Sequence, residues 1–341
     1  MKLLRYAGTL QRVSVAGRLR GWMRFLLLVT ACLMCHQAQA QSCSASMTAI
    51  TFPSYSPIAS TAVTSTGTAT VTCTWGTLTA ANALVCLNLT ATTPRSLVNG
   101  THKLNYELYT DAARTTQWGA TTLGTTPLSV VLSKPLFANT LSTSITFYGR
   151  VFGNQQTIPT VGNADTLYSV LYSAETSAVS GFYVPVLQAQ PTCASLTTSA
   201  GSFPFTATAT VINNCTIAAA GLTFQTGTSG LLNQALTTQG SLTIQCTDND
   251  AYKITLSPGA STVQTARTMV GATGGGTVKY QLYTDAGLSL VWGDGTGGTS
   301  TSTGTGTGNS QTIVVYGRVP AQSPTPAPST YTDTITATIY F

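Results

Sequence analysis

The sequence predicts an all-β chain that folds as two tandem sandwiches. Three observations support this class: a duplicated block, an alternation of apolar and polar residues with period two, and turn-forming clusters between the alternating runs. The duplicated block is LNYELYTDAARTTQWG at 104–119 and VKYQLYTDAGLSLVWG at 278–293, with an unbroken Leu-Tyr-Thr-Asp-Ala in both copies. A whole structural unit has therefore been duplicated, and residues at equivalent positions of the two copies can be compared.

Two further blocks follow each copy in the same order. Tyr-Gly-Arg-Val stands at 148–151 and 316–319, and Asp-Thr-Leu or Asp-Thr-Ile stands at 165–167 and 333–335. The spacing indicates a tandem duplication with a period near 170 residues.

Residues 1–40 are predicted to be a secretory signal peptide that is removed before Gln41. A basic segment is followed by an eleven-residue apolar core, Phe25–Cys35, which contains one threonine, and by small residues at the cleavage positions, Ala38-Gln39-Ala40. An apolar stretch of this length is too short to span a bilayer.

Removal of the leader changes the charge of the protein. The chain has 15 basic and 9 acidic residues. Six basic residues fall in the leader, which leaves nine against nine in the mature chain: Lys2, Arg5, Arg12, Arg18, Arg20 and Arg24. A formally neutral mature chain favours neither nucleic acid nor an anionic membrane as a partner.

Alternation with period two is the dominant local pattern. In Ala69–Cys73, Leu242–Cys246 and Ile335–Phe341 every second residue is apolar. Val, Ile, Thr and Tyr favour half-buried strands, and Gly, Ser, Thr and Asn clusters separate the runs at intervals typical of sandwiches. We expect an N-terminal sandwich in residues 41–188 and a C-terminal one in 189–341.

Six cysteines remain after the leader, and an even number in a secreted chain favours disulfides. Aligning the copies matches Cys43 with Cys215 and Cys73 with Cys246, which predicts one equivalent bridge in each domain. The two remaining cysteines, Cys86 and Cys193, are left to pair across the linker.

One apolar strand lies outside the duplicated unit. Its alternating residues are Phe203, Phe205, Ala207, Ala209 and Val211. This donor-type strand either fills a groove of the first domain or forms the first strand of the second, and the sequence does not separate these alternatives.

The residues for catalysis are scarce. His102 is the single histidine of the mature chain, and no Gly-x-Ser-x-Gly nucleophile element is present. Asp111 and Asp285 recur, but each lies in a turn where Asp commonly caps its own backbone. We therefore expect no enzymatic activity, no cofactor and no metal site.

The recurring blocks resemble the spore coat protein U domain family. They are Cys-Thr-Ile…Leu-Thr-Phe at 215–224, Gly-Ser-Leu-Thr-Ile-Gln-Cys at 240–246, the Tyr-Gln-Leu-Tyr-Thr-Asp-Ala block at 280–295, Val-Tyr-Gly-Arg-Val-Pro at 315–320 and the terminal strand at 331–341. The resemblance covers nearly all of the second domain and, more loosely, the first.

This resemblance implies a subunit of a Csu-type, or archaic, chaperone–usher pilus. Such subunits are immunoglobulin-like sandwiches that lack one strand. In this chain the C-terminal sandwich is the one expected to lack it. A periplasmic chaperone fills the groove first, and the N-terminal extension of the adjacent pilin replaces it at the outer-membrane usher. Tyr340 and Phe341 are expected chaperone contacts.

The resemblance also implies a two-domain tip adhesin at the cell surface that promotes attachment and biofilm formation. Only Gln41-Ser42 precede the first cysteine of the mature chain, so we expect no donor strand there and a position at the end of the filament.

Loops of the first domain are the expected contact surface for hydrophobic or host surfaces. Loops 75–83, 110–126 and 152–164 share one end of the sandwich if the strands alternate in direction. The apolar residues that the second copy replaces by polar residues or proline there, together with their neighbour Leu78, are Trp75, Phe152, Ile158 and Val161. Inward packing of these residues is the alternative.

Two other functions stay open at this stage. The first alternative is a structural tandem coat or matrix protein without a binding site. The second is a lectin in which Trp75, Trp118 and Tyr55 stack on sugar rings. The recurrence of Trp118 as Trp292 favours a core role for that residue.

Overall fold

The computed structural model describes residues 41–341 apart from 77–80, 92, 186–187, 226–231, 273 and 275. The predicted leader therefore lies outside the described residues. Helical structure in the described part consists of three short 3-10 turns, at Thr121–Leu123, Cys193–Ser195 and Gln264–Ala266. No helix there is long and apolar enough to cross a membrane. Strands make up the rest of the regular structure, which confirms the predicted all-β class.

Eleven strands form the first sandwich. They are β1 (Ser42–Met47), β2 (Ile50–Thr51), β3 (Val63–Thr74), β4 (Ala81–Leu89), β5 (Arg95–Asn99), β6 (His102–Tyr109), β7 (Leu128–Ser133), β8 (Thr140–Val151), β9 (Thr166–Tyr172), β10 (Ser177–Pro185) and β11 (Phe205–Val211). One sheet has the order β1-β3-β8-β6-β5-β9-β11-β2, and the opposite sheet has the order β10-β4-β7.

The donor-type strand β11 completes the first sandwich. It pairs antiparallel with β9 and parallel with β2. The predicted boundary after residue 188 assigned this strand to the C-terminal domain, whereas the pairing places it in the N-terminal one. Only residues 212–214 separate β11 from the next strand, so the structural boundary lies there.

Ten strands form the second sandwich. They are β12 (Cys215–Ala219), β13 (Leu236–Cys246), β14 (Ala251–Leu256), β15 (Thr268–Gly271), β16 (Thr277–Lys279), β17 (Gln281–Tyr283), β18 (Ser302–Thr305), β19 (Gln311–Val319), β20 (Tyr331–Thr332) and β21 (Ala337–Tyr340). Their sheets have the orders β12-β13-β19-β17, β18-β14-β21 and β16-β15-β20.

Both sandwiches are built around an equivalent tryptophan. The indole Nε1 of Trp118 donates to the carbonyl of Leu87 at 2.8 Å, and that of Trp292 donates to Ile254 at 3.0 Å. Both indoles are fully buried, and a buried indole N–H needs such a partner. The duplicated tryptophan therefore belongs to the scaffold.

The glycine of each Tyr-Gly-Arg-Val block lets a neighbouring segment approach the sheet. A Cβ on Gly149 would lie 2.6 Å from side-chain atoms of Ile50 and Phe52, and one on Gly317 would lie 2.9 Å from Phe224. Glycine is required at this position because a side chain would collide with the residues that pack against the sheet there.

The third matched block of the duplication is not equivalent in space. Val98 pairs with Ser169 in the first sandwich, and its counterpart Val270 pairs with Thr332 in the second. Each valine lies three residues after a buried arginine. Asp333 therefore occupies the place of the residue after Ser169, and the sequence alignment of the two Asp-Thr blocks is wrong as a structural alignment.

Three disulfides join the cysteines in the pairs that the sequence suggests: Cys43–Cys73, Cys215–Cys246 and Cys86–Cys193. The first two link the same neighbouring strands in each sandwich. The third fixes the segment that leads into β11 onto β4.

The two sandwiches meet through the loop after β8. Pro159 forms a parallel bridge with Asp248, and the hydroxyl of Thr160 donates to the buried carboxylate of Asp250. The Asn163 amide exchanges two hydrogen bonds with the backbone of Ala251, at 2.7 and 3.0 Å. Burial raises the pKa of Asp250. A three-residue linker and these contacts hold the domains together.

Replacing both Cys86 and Cys193 by Ser should lower the free energy of unfolding by about 4 kcal/mol. The bond closes a loop with a sequence separation of 107, and cross-linking a loop of that length removes entropy from the unfolded chain. Urea denaturation of the full chain measures the change. An unchanged transition midpoint would show that the disulfide does not hold the segment before β11.

Candidate functional site: an open groove in the second sandwich

An apolar groove opens into the core of the second sandwich. Its volume is about 760 Å³. It lies between the segment that follows β12 and the last strands of the chain, and the residues that line it include Leu222, Phe224, Leu242, Met269, Tyr280, Val315, Val319, Tyr331, Asp333, Ile335 and Ala337. Pockets for small molecules reach this size. Comparison with the equivalent region of the first sandwich shows what kind of ligand fits this groove.

Equivalent residues are covered in the first sandwich and uncovered in the second. Ile50 and Phe52 are 0% and 3% exposed. Their counterparts, Leu222 and Phe224, are only partly buried at the edge of the second core. The side chains are of similar size and chemistry, so the difference comes from what covers them.

The cover in the first sandwich is β11. Phe205 stacks on Tyr172 with ring centroids 4.6 Å apart and on Trp118 at 6.0 Å, and it meets the edge of Phe147 at 5.6 Å. Phe203, which is fully buried, also stacks on Trp118 at 6.0 Å. The remaining inward residues of β11 are buried as well: Ala207, Ala209 and Val211.

Backbone hydrogen bonds seat β11 on both sides. In addition to its ladder with β9, β11 accepts bonds from the amides of Phe52 and Tyr55, both at 2.8 Å, through Thr208 and Thr210. The equivalent segment in the second sandwich, 221–225, is in no strand. Within the described residues, the second sandwich thus has an unpaired edge where the first has a strand.

A polar group interrupts the apolar wall of the groove. The Tyr280 hydroxyl donates to the Asp333 carboxylate at 2.6 Å, and the backbone amides of Ala260 and Thr334 donate to it at 2.8 Å. Burial and the hydrogen bond to Asp333 raise the pKa of Tyr280. These three hydrogen bonds hold the carboxylate in one place, directly after β20.

A buried arginine lies behind this wall in each copy. Arg95 pairs with the buried Glu107, whereas Arg267 donates to the neutral amide of Gln281 at 2.9 Å and twice to the Ser257 carbonyl. Burial lowers the pKa of Arg267, while the nearby Asp333 carboxylate opposes this effect through its charge.

The acidic residue near the buried arginine therefore differs between the copies. In the first sandwich it is Glu107 on a core strand, and in the second it is Asp333 on the groove wall. Sequence reasoning missed these arginines and the role of Asp333. The change from Glu107 to Gln281 within the duplicated block was the available signal.

Two of the predicted surface-binding residues are wrong, because they are buried. Trp75 is 1% exposed, packs edge-on against Tyr183 at 6.1 Å and belongs to the first core. Ile158 is 8% exposed and belongs to the same core. The inward alternative is the correct one for both.

The other predicted residues do not form one contact surface. Val161 is 58% exposed and Phe152 is partly buried, but their loop faces the second sandwich. Leu78 lies outside the described residues. Thr74, at the end of β3, pairs with Thr140 at the start of β8, whereas the loop at 152–164 follows the end of β8. Trp75 and that loop therefore lie at opposite ends of the sandwich, and the expectation of a shared end is wrong.

A different loop presents apolar side chains to solvent. Leu136 and Phe137, between β7 and β8, are 93% and 100% exposed. Lys134 donates to the carbonyl of Gly76 at 2.7 Å, and the amide of Trp75 donates to Asn139 at 2.8 Å, so the base of the loop is fixed. We call residues 134–139 the distal loop.

The duplication contained a signal for the distal loop. The second copy has Gly306-Thr-Gly-Asn-Ser310 between the equivalent strands β18 and β19, without an apolar residue. The distal loop lies at the start of β8, and the domain junction follows its end. Twelve residues of strand separate them, which corresponds to roughly 35–40 Å.

The aromatic residues of the lectin alternative are all buried. Trp75, Trp118 and Tyr55 are at most 1% exposed, so none of them can stack on a sugar. Asp111 and Asp285 each accept two backbone amides within their turn, and these bonds lower the pKa of both carboxyl groups. In the described residues no three His, Cys, Asp or Glu side chains are placed to share a metal ion.

The last residues of the chain stand at the end of β21, which pairs with β14 so that Tyr340 lies opposite Lys253. Tyr340 and Phe341 are 54% and 47% exposed. Lys253 lies over the Tyr340 ring, 5.2 Å from its centroid. Both predicted chaperone-contact residues are therefore accessible.

The sequence profile of the Spore Coat Protein U domain matches residues 29–168 and 202–338. No curated protein matches the chain in sequence. Two similar solved structures are the CsuC-CsuE chaperone–tip adhesion subunit pre-assembly complex of Acinetobacter baumannii Csu pili (18% identity, 88% of this chain and 100% of that chain, TM-score 0.47) and the CupB6 tip adhesin of Pseudomonas aeruginosa (10%, 88% and 93%, TM-score 0.38). A chaperone–tip adhesin complex of CFA/I fimbriae is also similar (9%, 86% and 95%, TM-score 0.29).

Truncating Phe205 to Ala should lower the free energy of unfolding by about 3–5 kcal/mol, because it removes a buried ring from the first core. Phe137→Ala is a matched control that removes the same atoms from a fully exposed position, and we expect a change within about 0.5 kcal/mol. Chemical denaturation measures both. Equal effects of the two substitutions would contradict the placement of β11 in the first core.

Proposed function

Because the chain belongs to the Spore Coat Protein U domain family, we propose that it is a subunit of a chaperone–usher pilus and acts as the tip adhesin. It passes through the periplasm to the cell surface, and its second sandwich connects it to the adjacent pilin. The observation that carries this proposal is the asymmetry of the two copies: the first groove is filled by the chain's own β11, and the second is open.

The open groove fits an extended strand from another polypeptide. Its apolar wall and its unpaired edge at 221–225 offer what β11 uses in the first sandwich, namely pockets for alternate side chains and backbone partners on both sides. A periplasmic chaperone is the first partner that supplies such a strand, and the adjacent pilin replaces it at the outer-membrane usher. Tyr340 and Phe341 are the proposed chaperone contacts, at the end of the strand whose first residue, Ala337, lines the groove.

The first sandwich cannot receive a strand in the same way. Its groove holds β11, and Cys86–Cys193 keeps the segment before β11 attached to β4. Only the second sandwich joins the shaft, which leaves the first sandwich at the free end of the filament.

The distal loop is the proposed surface-binding element. It lies at the end of the first sandwich away from the second, and its Leu136 and Phe137 are the most exposed large apolar side chains in the described part of the chain. Exposed apolar groups of this kind bind hydrophobic surfaces, since contact removes them from water. Attachment of many such tips promotes biofilm formation.

A variant that fills its own groove tests the strand-accepting function. A second copy of residues 202–212, appended after Phe341 through a flexible linker, should raise the melting temperature of the second sandwich by several degrees. The same variant should no longer reach the surface of pilus-producing cells, because the groove is occupied before the partner strand arrives.

The control carries Asp in place of the copies of Phe205 and Ala209 in the appended strand. It should leave the melting temperature and surface display unchanged. Surface display of the self-filled variant at the level of the unaltered chain would contradict the proposal.

Substituting Ser for both Leu136 and Phe137 should reduce binding of the purified protein to alkyl-coated beads by about tenfold or more. Each exposed side chain loses roughly 1.5–3 kcal/mol of possible burial. The folded structure should not change, because neither side chain packs in the core.

Leu171→Ser is the matched control for this experiment. Leu171 is 65% exposed on the face of the first sandwich, away from the distal loop. Its substitution should leave bead binding unchanged. Equal losses from the two variants would show that general surface hydrophobicity, and not the distal loop, binds the beads.

A further inference from the structure

The filled groove of the first sandwich serves as a template for the open groove of the second. Ala207 of β11 pairs with Val170 of β9 on one side and with Ile50 of β2 on the other. Val170 is partly buried against the first core. Both cross-strand neighbours of this small side chain are therefore apolar.

The corresponding neighbours in the second sandwich differ in one respect. Leu222 stands in place of Ile50, two residues before the shared phenylalanine, and Asp333 stands in place of Val170, because it follows the residue that pairs with Val270. Both line the groove. A strand that enters the second groove in the register of β11 therefore meets a carboxylate where β11 meets a valine.

Cross-strand neighbours on one face have Cβ atoms about 4.5–5.5 Å apart. A carboxylate has about four acceptor sites, and Asp333 accepts three hydrogen bonds within the chain, from Tyr280, Ala260 and Thr334. An apolar strand would cover the remaining site and leave it without a donor, which is costly once water is excluded.

We propose that Asp333 determines the specificity of the groove by selecting an incoming strand with a hydrogen-bond-donating side chain, such as Ser or Thr, at the place that Ala207 holds in β11. This inference rests on the strand-accepting function proposed above and defines the partner more closely. The selected strand has apolar residues on either side of that position and one polar residue that faces Asp333.

The selection also distinguishes the two grooves of one molecule. β11 carries Ala at this position and suits the valine of the first groove. The partner strand carries a donor and suits the carboxylate of the second. The Glu107-to-Gln281 exchange fits this arrangement, because Asp333 then supplies the negative charge near the buried Arg267.

Two self-filled chains test the proposal. One carries an appended copy of residues 202–212, and the other carries the same copy with Ser in place of its Ala207 equivalent. The Ser copy should raise the melting temperature of the second sandwich by about 3–5 °C more than the Ala copy. In an Asp333→Val background the order should reverse, so that the Ala copy is the better one.

The outcomes separate the two proposals. If neither copy stabilises the second sandwich, the strand-accepting function itself fails. If both copies stabilise it equally in the presence of Asp333, the function survives and the role of Asp333 is refuted. Should Asp333→Val not fold, Asp333→Asn keeps the shape while removing the charge and one acceptor oxygen, and the advantage of the Ser copy should shrink by at least half. An undiminished advantage in Asp333→Asn would also overturn the proposal.

Discussion

A sandwich with an apolar interior must be covered along each of its edges, and the structure depends on how this requirement is met twice. An uncovered edge exposes both the core and a row of unpaired backbone groups, which is a template for pairing with another chain. The first sandwich meets the requirement internally with β11. The second does not, and the difference is visible in Leu222 and Phe224, whose counterparts Ile50 and Phe52 are almost completely buried.

The duplication made much of the fold predictable. Strand alternation, the tryptophan core, the capping role of Asp111 and the equivalent disulfides all follow from residues that recur. The sandwich to which β11 belongs could not be predicted from the sequence, because a strand with alternating apolar residues fits any complementary apolar groove. Only the pairing with β9 and β2 in the folded chain decides it.

The candidate site was predicted less well, for a physical reason. The comparison of copies found apolar residues in the first domain, but an apolar loop residue packs inward whenever a core lies within reach. Trp75 and Ile158 do so. Leu136 and Phe137 lie in the connection that crosses from β7 in one sheet to β8 in the other, and there they are almost fully exposed. The polar wall of the groove was missed because the duplicated Asp-Thr blocks match Asp333 with Asp165, and only the strand register shows that Asp333 occupies the place of Val170.

Hydrogen exchange of the free, full-length protein tests the central claim most directly, since the two sandwiches serve as each other's control. If the second groove is open, the amides of Asp333 and Ile335 exchange much faster than those of Val170 and Tyr172, which pair with β11 in the first sandwich. Equal and strong protection of the two pairs of amides would contradict the account, because it would mean that the second sandwich is already complete.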